Sequence, residues 1–249
     1  MPLDYKKYFC NKVHEIAISR GQHEVFVDFC ELSMIVLRQP FEKSEILENR
    51  FHGILKQYNK EAVNKFTELL RITVEALQEK PHDFLGECFH ALNLHNHFKG
   101  QFFTPYHISD FMAEITLENV REHVEKHSYV SLSEPACGAG AMVIAAAEVM
   151  KKHKLNPVNS LWVVAQDIDF KCCCMAYIQM TLLAIPGVVI WGNTLTNEKK
   201  EYWITSGYYL YPWAIRFATE KQEPTSVPST TIKVDATGQM EFNFEGEIQ

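Results

Sequence analysis

Nowhere do the 249 residues hold about 18 apolar positions in succession, so no membrane-spanning helix is expected. The opening stretch Met1-Pro2-Leu3-Asp4-Tyr5-Lys6-Lys7 has no apolar core of the secretory kind, and the expectation is a cytoplasmic protein. Paired cysteines are missing too. The seven present (Cys10, Cys30, Cys88, Cys137, Cys172, Cys173 and Cys174) are odd in number and include no Cys-x-x-Cys, which speaks against a disulfide framework or a zinc knuckle. The three consecutive cysteines, if helical, point about 100° apart and cannot converge on one metal, so they read as small apolar residues in a reducing compartment. Positive charge is short: 24 Lys and Arg stand against 31 Asp and Glu, a formal net charge of −7. Phosphate neutralisation supplies most non-specific affinity for nucleic acid, so a stand-alone DNA binder is poorly supported. The basic clusters Lys151-Lys152-His153-Lys154 and Lys199-Lys200 read as a solvated helix end or loop.

What the chain does have is a hydrophobic content of 47% and an aromatic content of 12%, those of a folded globular protein. Its organising stretch runs from Glu134 to Met142, Glu-Pro-Ala-Cys-Gly-Ala-Gly-Ala-Met. A β-like run, Tyr129-Val130-Ser131-Leu132-Ser133, precedes it, and an apolar helical run from Met142 to Met150 follows. Strand, glycine turn and helix make the context in which a Gly-x-Gly becomes a nucleotide site. Gly138 and Gly140 let backbone approach a ligand, and the free N–H groups of the helix start favour anionic groups.

Downstream, Leu161 to Ala165 reads as a second strand ending at Gln166 and Asp167, 27 positions after Gly140, with the linker Lys151 to Ser160 taking up the extra length. A carboxylate there has two oxygens with which to accept bonds from both hydroxyls of a ribose, and Asp167 is the choice over Asp169, which suits the N-cap of the next helix, Lys171 to Ala184. A third strand, Val188 to Trp191, leads into Gly192-Asn193-Thr194-Leu195. Upstream, Gly100-Gln101-Phe102-Phe103-Thr104-Pro105 is expected to be a loop, because Thr104 precedes a proline. Ser109 is expected to cap the helix that follows, through Ile115 and Leu117. Residues 1 to 98 read as helices, with Ala62, Phe66, Leu69, Leu70, Thr73 and Leu77 giving a long amphipathic face. His90, His95 and His97 have no acidic or cysteine partner at ligand spacing and read as surface or packing residues.

Taken in order, Gly-Gln-Phe-Phe-Thr-Pro, Glu-Pro-Ala-Cys-Gly-Ala-Gly, the acidic strand end and Gly-Asn-Thr-Leu resemble the adenine-N6 DNA methyltransferases of the gamma arrangement. The likeness extends to modification subunits of type I restriction-modification systems and their small mobile-element relatives, and it covers residues 83 to 195. It implies S-adenosylmethionine as cofactor. It places Gln101, Phe102, Phe103 and Thr104 over the methionine end, with Phe102 or Phe103 near its apolar part. Glu134, Pro135, Ala136, Gly138 and Gly140 then form the binding turn, and Asp167 with Ile168 stands at the ribose. Asn193 stands where relatives often carry aspartate; its side-chain carbonyl can accept from the cofactor's adenine amino group, or it can simply form a turn.

The implied fold is α/β. A helical N-terminal domain, 1–98, leads into a truncated, parallel, Rossmann-like methyltransferase sheet with helices on both faces, 99–218, and a flexible tail, 219–249. One family signature is missing. Asn or Asp followed by Pro-Pro and an aromatic residue, which would hold a flipped adenine, occurs nowhere, and Tyr209-Leu210-Tyr211-Pro212-Trp213 offers no amide or carboxylate in its place. Only 54 residues follow Leu195, turning polar from Glu220, too few for the remaining sheet elements. The resemblance thus implies methyl transfer to adenine N6 with a partner supplying DNA contacts, or an inactive homologue acting by regulation or protein interaction. In the tail, Gln239-Met240-Glu241-Phe242-Asn243-Phe244 resembles peptides that dock on the replicative sliding clamp. Its alternation equally suits a strand pairing with an open edge of the sheet.

Overall fold

The computed structural model describes residues 3–18, 20–94, 103–220, 231–234 and 240–243. Five helices open the chain: α1 (Tyr5–Ile16), α2 (Gln22–Arg38), α3 (Glu45–Leu55), α4 (Lys60–Glu79) and α5 (Phe84–Ala91). Short polar side chains set the starts of α1, α3, α4 and α5. Asp4, Ser44, Asn59 and Asp83 accept the N–H groups of Lys7, Leu47, Ala62 and Gly86, donors that the first helical turn leaves without a partner. Their apolar faces meet in an aromatic cluster: Phe9 lies edge-on to Phe29 at 5.2 Å and to Phe84 at 5.6 Å, and Phe26 meets Phe89 at 5.6 Å. Burying each such ring contributes roughly 1.5–3 kcal/mol.

Next come α6 (Tyr106–Thr116), α7 (Val120–His127), β1 (Val130–Glu134), α8 (Ala141–Lys152), α9 (Pro157–Ser160), β2 (Leu161–Asp167), α10 (Phe170–Leu182), β3 (Gly187–Asn193), β4 (Glu198–Ile204) and α11 (Ser206–Leu210). Ser109 does not cap α6. Pro105, whose ring fixes φ at −55°, stands at the N-cap, and Ser109 is buried within the helix with its N–H on the Pro105 carbonyl. Asp169 caps α10 as expected, accepting the N–H of Lys171 at 3.0 Å.

The sheet runs β1-β2-β3-β4. β1 and β2 are parallel in the register Val130↔Leu161 to Glu134↔Ala165, and β2 and β3 are parallel from Val163↔Gly187 to Asp167↔Trp191. The wholly parallel sheet expected from the sequence is corrected at β4, which folds back antiparallel on β3 from Val188↔Ile204 to Asn193↔Glu198. Lys199 and Lys200 therefore lie in a strand, not in a loop or at a helix end. Charged residues suit the edge of a sheet, where they discourage further pairing, and Tyr202, Trp203 and Ile204 supply the β-formers. One continuous core reaches from Phe9 in α1 to Trp203 in β4.

The residues Met1–Tyr211 form one compact unit and Pro212–Gln249 a second. The second holds α12 (Trp213–Glu220), β5 (Thr231–Val234) and β6 (Met240–Asn243), the two strands pairing antiparallel from Thr231↔Asn243 to Val234↔Met240. β5 lies inside the stretch expected to be a flexible tail, 219–249. The strand expected around Met240 is present, but it pairs with β5 in a two-stranded sheet of its own and not with the edge of the main sheet. Gln239 and Phe244 lie outside the described residues. Among the described residues no helix is long and apolar enough to cross a membrane.

Candidate functional site

β1 delivers the chain into the glycine turn at Glu134, whose carboxylate accepts the Ala136 N–H at 3.3 Å. The Cys137 N–H donates to the Gln166 carbonyl at 2.9 Å, which fixes the turn against the end of β2, and the Gly140 N–H returns to the Cys137 carbonyl at 2.8 Å. This tight path puts Gly138 at φ +54° and Gly140 at φ +100°, where a side chain costs about 1–2 kcal/mol. At Gly138 space is closed as well, since a Cβ would stand 3.1 Å from the Phe103 ring. Phe103 roofs the turn, with its ring 5.3 Å from that of Phe89 and 5.2 Å from that of His90. Gln101 and Phe102 lie outside the described residues, and Thr104 is exposed just before α6.

Asp167 ends β2. Its Oδ2 accepts the Gly138 N–H at 2.9 Å and its Oδ1 the Asp169 N–H at 2.9 Å. Each carboxylate oxygen accepts two bonds, so each keeps a lone pair. Burial pushes this carboxyl above its ordinary 3.8, while the two backbone N–H groups pull it back. Ile168 is largely exposed beside it, its carbonyl accepting from the Trp191 indole at 3.1 Å. Across the site, Asn193 Oδ1 accepts the Leu195 N–H at 3.0 Å, so this residue does form a turn. The next residue ties the end of β3 to the glycine turn, Thr194 Oγ1 donating to the Pro135 carbonyl at 2.7 Å. Phe103, Pro135, Gly138 and Asp167 are thus brought together, with Ile168 and Asn193 next to residues that bond into the same cluster.

Gln179 was not foreseen. Fully buried in α10, it accepts the Leu85 N–H at 3.0 Å and donates to Asp83 Oδ1 at 2.9 Å and to the Ala139 carbonyl at 2.8 Å. One amide therefore joins the start of α5, the glycine turn and α10. Asp83 is buried too, and loss of solvent pushes its carboxyl above 3.8 against the pull of Gln179 and the Gly86 N–H. The cap at Asp83 could be read locally, but its bond to Gln179 spans 96 positions and leaves no local pattern. Lys171, also missed, is buried at the start of α10, paired with Asp169 and 5.4 Å over the Phe89 ring.

The neighbouring cysteines belong to the core. Burial pushes the thiols of Cys137, Cys172 and Cys173 up, away from the reactive thiolate, and Cys173 Sγ donates to the Asp167 carbonyl at 3.3 Å. Tyr209 is engaged by Phe41, the two rings stacked at 4.4 Å and 6°.

No curated protein matches the chain. A solved structure from Listeria monocytogenes, of a protein assigned as a class I S-adenosylmethionine-dependent methyltransferase, is similar at 12% identity and a TM-score of 0.39, covering 78% of this chain. The chain spans 55% of that protein's length. The sequence profile described as N-6 DNA Methylase matches residues 84–221, more than half of the chain and the whole of the glycine turn and its surroundings: the chain belongs to that family, whose cofactor is S-adenosylmethionine.

Proposed function

We propose that the chain binds S-adenosylmethionine at the glycine turn, as a DNA adenine-N6 methyltransferase-like protein whose methyl transfer needs a partner. The observation that carries this reading is the bond between Gly138 N–H and Asp167 Oδ2, which sets an acidic strand end against a glycine of the turn. The residues fit the cofactor. The two oxygens of Asp167, each with a lone pair to spare, match the two hydroxyls of a ribose. Exposed Ile168 offers an apolar surface to an adenine ring, and Asn193 keeps one acceptor pair on Oδ1 beyond its turn bond. Phe103 borders the methionine end, to which the sequence resemblance also assigns Gln101, Phe102 and Thr104. Glu134, Pro135, Ala136 and Gly140 complete the turn.

When bound, the cofactor supplies an electrophilic methyl group. The chain's own part is to hold and orient it. Asp167 fixes the ribose and Phe103 shields the apolar chain from water. Nothing in the sequence matches the Asn-Pro-Pro or Asp-Pro-Pro group that would hold the target amine, and a chain of net charge −7 is poorly made to hold DNA alone. A basic partner bringing both answers both needs. Calorimetric titration with S-adenosylmethionine tests the binding: heat is expected for the wild type and none for Asp167→Ala, and a silent wild type overturns the proposal. Tritiated methyl transfer to mixed-sequence duplex and single-stranded DNA is expected to be negligible for the chain alone.

The missing signature also favours a second reading, an inactive homologue that uses the pocket for regulation. Cofactor heat without methyl incorporation, even with a partner present, selects it. The tail peptide 239–244 is proposed as a sliding-clamp contact on its glutamine and spaced apolar residues.

A further inference from the structure

The two edges of the main sheet differ. β4 closes one edge with Glu198, Lys199, Lys200 and Glu201, charges of the kind that keep other strands away. β1 closes the other with Val130-Ser131-Leu132-Ser133-Glu134, which has neither lysine nor proline, and every one of its residues is at least partly exposed. Open α/β sheets hold their ligand in the crevice where strand order reverses, between the first strand and a neighbour on its far side. Among the described residues β1 has β2 on one side and no strand on the other. The crevice has one wall.

Beside that edge lies a second unpartnered surface. α6 is fixed by its inner side, with Ala113 buried and Lys152 of α8 bonded to Asp110 at 3.1 Å and Glu114 at 2.6 Å. Its outer side shows Ile108 at 40%, Phe111 at 63%, Met112 at 47% and Ile115 at 61% exposure, at the i, i+3, i+4, i+7 spacing of a packing stripe. A hollow lined by Ile115, Leu117, Val120, His123 and Val130 connects this stripe to the first residue of β1, so the two form one surface. Exposed Glu118 lines the hollow as well, and Glu122 is exposed on α7, where the neighbouring Arg121 is paired with Glu125.

We infer that this surface receives a basic polypeptide, which adds a strand parallel to β1 and packs an apolar helix on α6. The inference rests on the methyltransferase reading and names the partner that reading requires. A parallel strand brings its C-terminal end beside the glycine turn, where it completes the crevice and places an Asn-Pro-Pro or Asp-Pro-Pro group against the methyl donor. Charge selects the occupant. A second copy of this chain would set Glu118 and Glu122 against their own kind and add another −7, and it would bring no base-holding group. A basic chain meets the acidic fringe and supplies the phosphate contacts that this one lacks.

The test uses the full chain, made in the cells that encode it, with photoreactive benzoylphenylalanine in place of Phe111, and at Ile46 of α3 as control. Irradiation is expected to join position 111 to a basic polypeptide whose sequence contains Asn/Asp-Pro-Pro-aromatic after a predicted strand. Ile115→Glu should cut the yield by about tenfold or more, the effect of losing one buried apolar anchor. Crosslinking only to another copy of this chain, to a polypeptide without that sequence, or to nothing overturns the inference. Melting curves are the check that the substituted chains fold. Calorimetry with S-adenosylmethionine on the same protein separates the two proposals: heat without a crosslink sinks the docking surface alone, and the expected crosslink without heat sinks the cofactor pocket alone.

Discussion

The glycine turn has two flanks, and they are built on opposite rules. Toward α5 and α10 it is sealed: Gln179, Asp83 and the Ala139 carbonyl satisfy one another out of reach of water, and Phe103 lies over Gly138. Toward β1 it is open, with Ser131 and Ser133 exposed and no strand beyond them among the described residues. A buried polar group is tolerated only when it is bonded, so the sealed flank has one arrangement that works and resists change. The open flank has water as its partner and is free to exchange it for another chain. A turn fixed on one side and open on the other is the arrangement that the proposed cofactor and the proposed partner would each use.

The sharpest break in this contrast is Asp167→Ala. It removes the two acceptors proposed for the ribose, each charge-assisted bond to a ligand being worth about 1.5–3 kcal/mol, and calorimetry should register no heat, cofactor affinity being down by about 100-fold or more. Gln179→Leu comes next. It orphans the Leu85 N–H, the Ala139 carbonyl and part of Asp83 at once, and thermal or urea unfolding should register a loss of about 2–5 kcal/mol together with weaker cofactor binding.

Asp83→Asn is gentler and depends on pH. A buried acid whose pKa is raised holds its proton more tightly folded than unfolded, so stability falls as pH climbs from the ordinary 3.8 through the raised value. The asparagine variant keeps an acceptor for Gly86 and Gln179 but has no charge to bury. Its melting temperature, followed from acidic to neutral buffer, should lack that decline. On the open flank Phe111→Glu should move stability by no more than about 0.5 kcal/mol, since the side chain already faces water. Smallest of all is deletion of residues 237–249, which removes β6, whose pairing is with β5 alone. The melting of the main unit should stay where it is, while any clamp binding measured by fluorescence anisotropy is lost.

What the sequence revealed follows the same division. Features written in neighbouring residues were legible: the turn around Gly138 and Gly140, the strand ending at Asp167, and the cap at Asp169. β4 was missed because Glu198, Lys199, Lys200 and Glu201 carry a solvent-facing pattern that an edge strand shares with a loop. Ser109 was misread because a cap requires only a short polar side chain, and Pro105 had already started the helix. Gln179 gave no signal, since a buried amide in an apolar helix is told from a surface one only by what lies opposite.

The reach of Gln179 also has a consequence in time. Its bonds to Leu85 and Asp83 span 94 and 96 residues, so they close only after the helices at the start of the chain have met α10, whereas the bond to Ala139 spans 40. Long closures lose more chain entropy before any contact compensates, and they come late in folding. A nascent chain that has not yet reached α10, or a cleaved one lacking α5, thus carries the complete glycine sequence without the full set of Gln179 bonds that fix it, and such a part-made chain is expected to hold S-adenosylmethionine weakly.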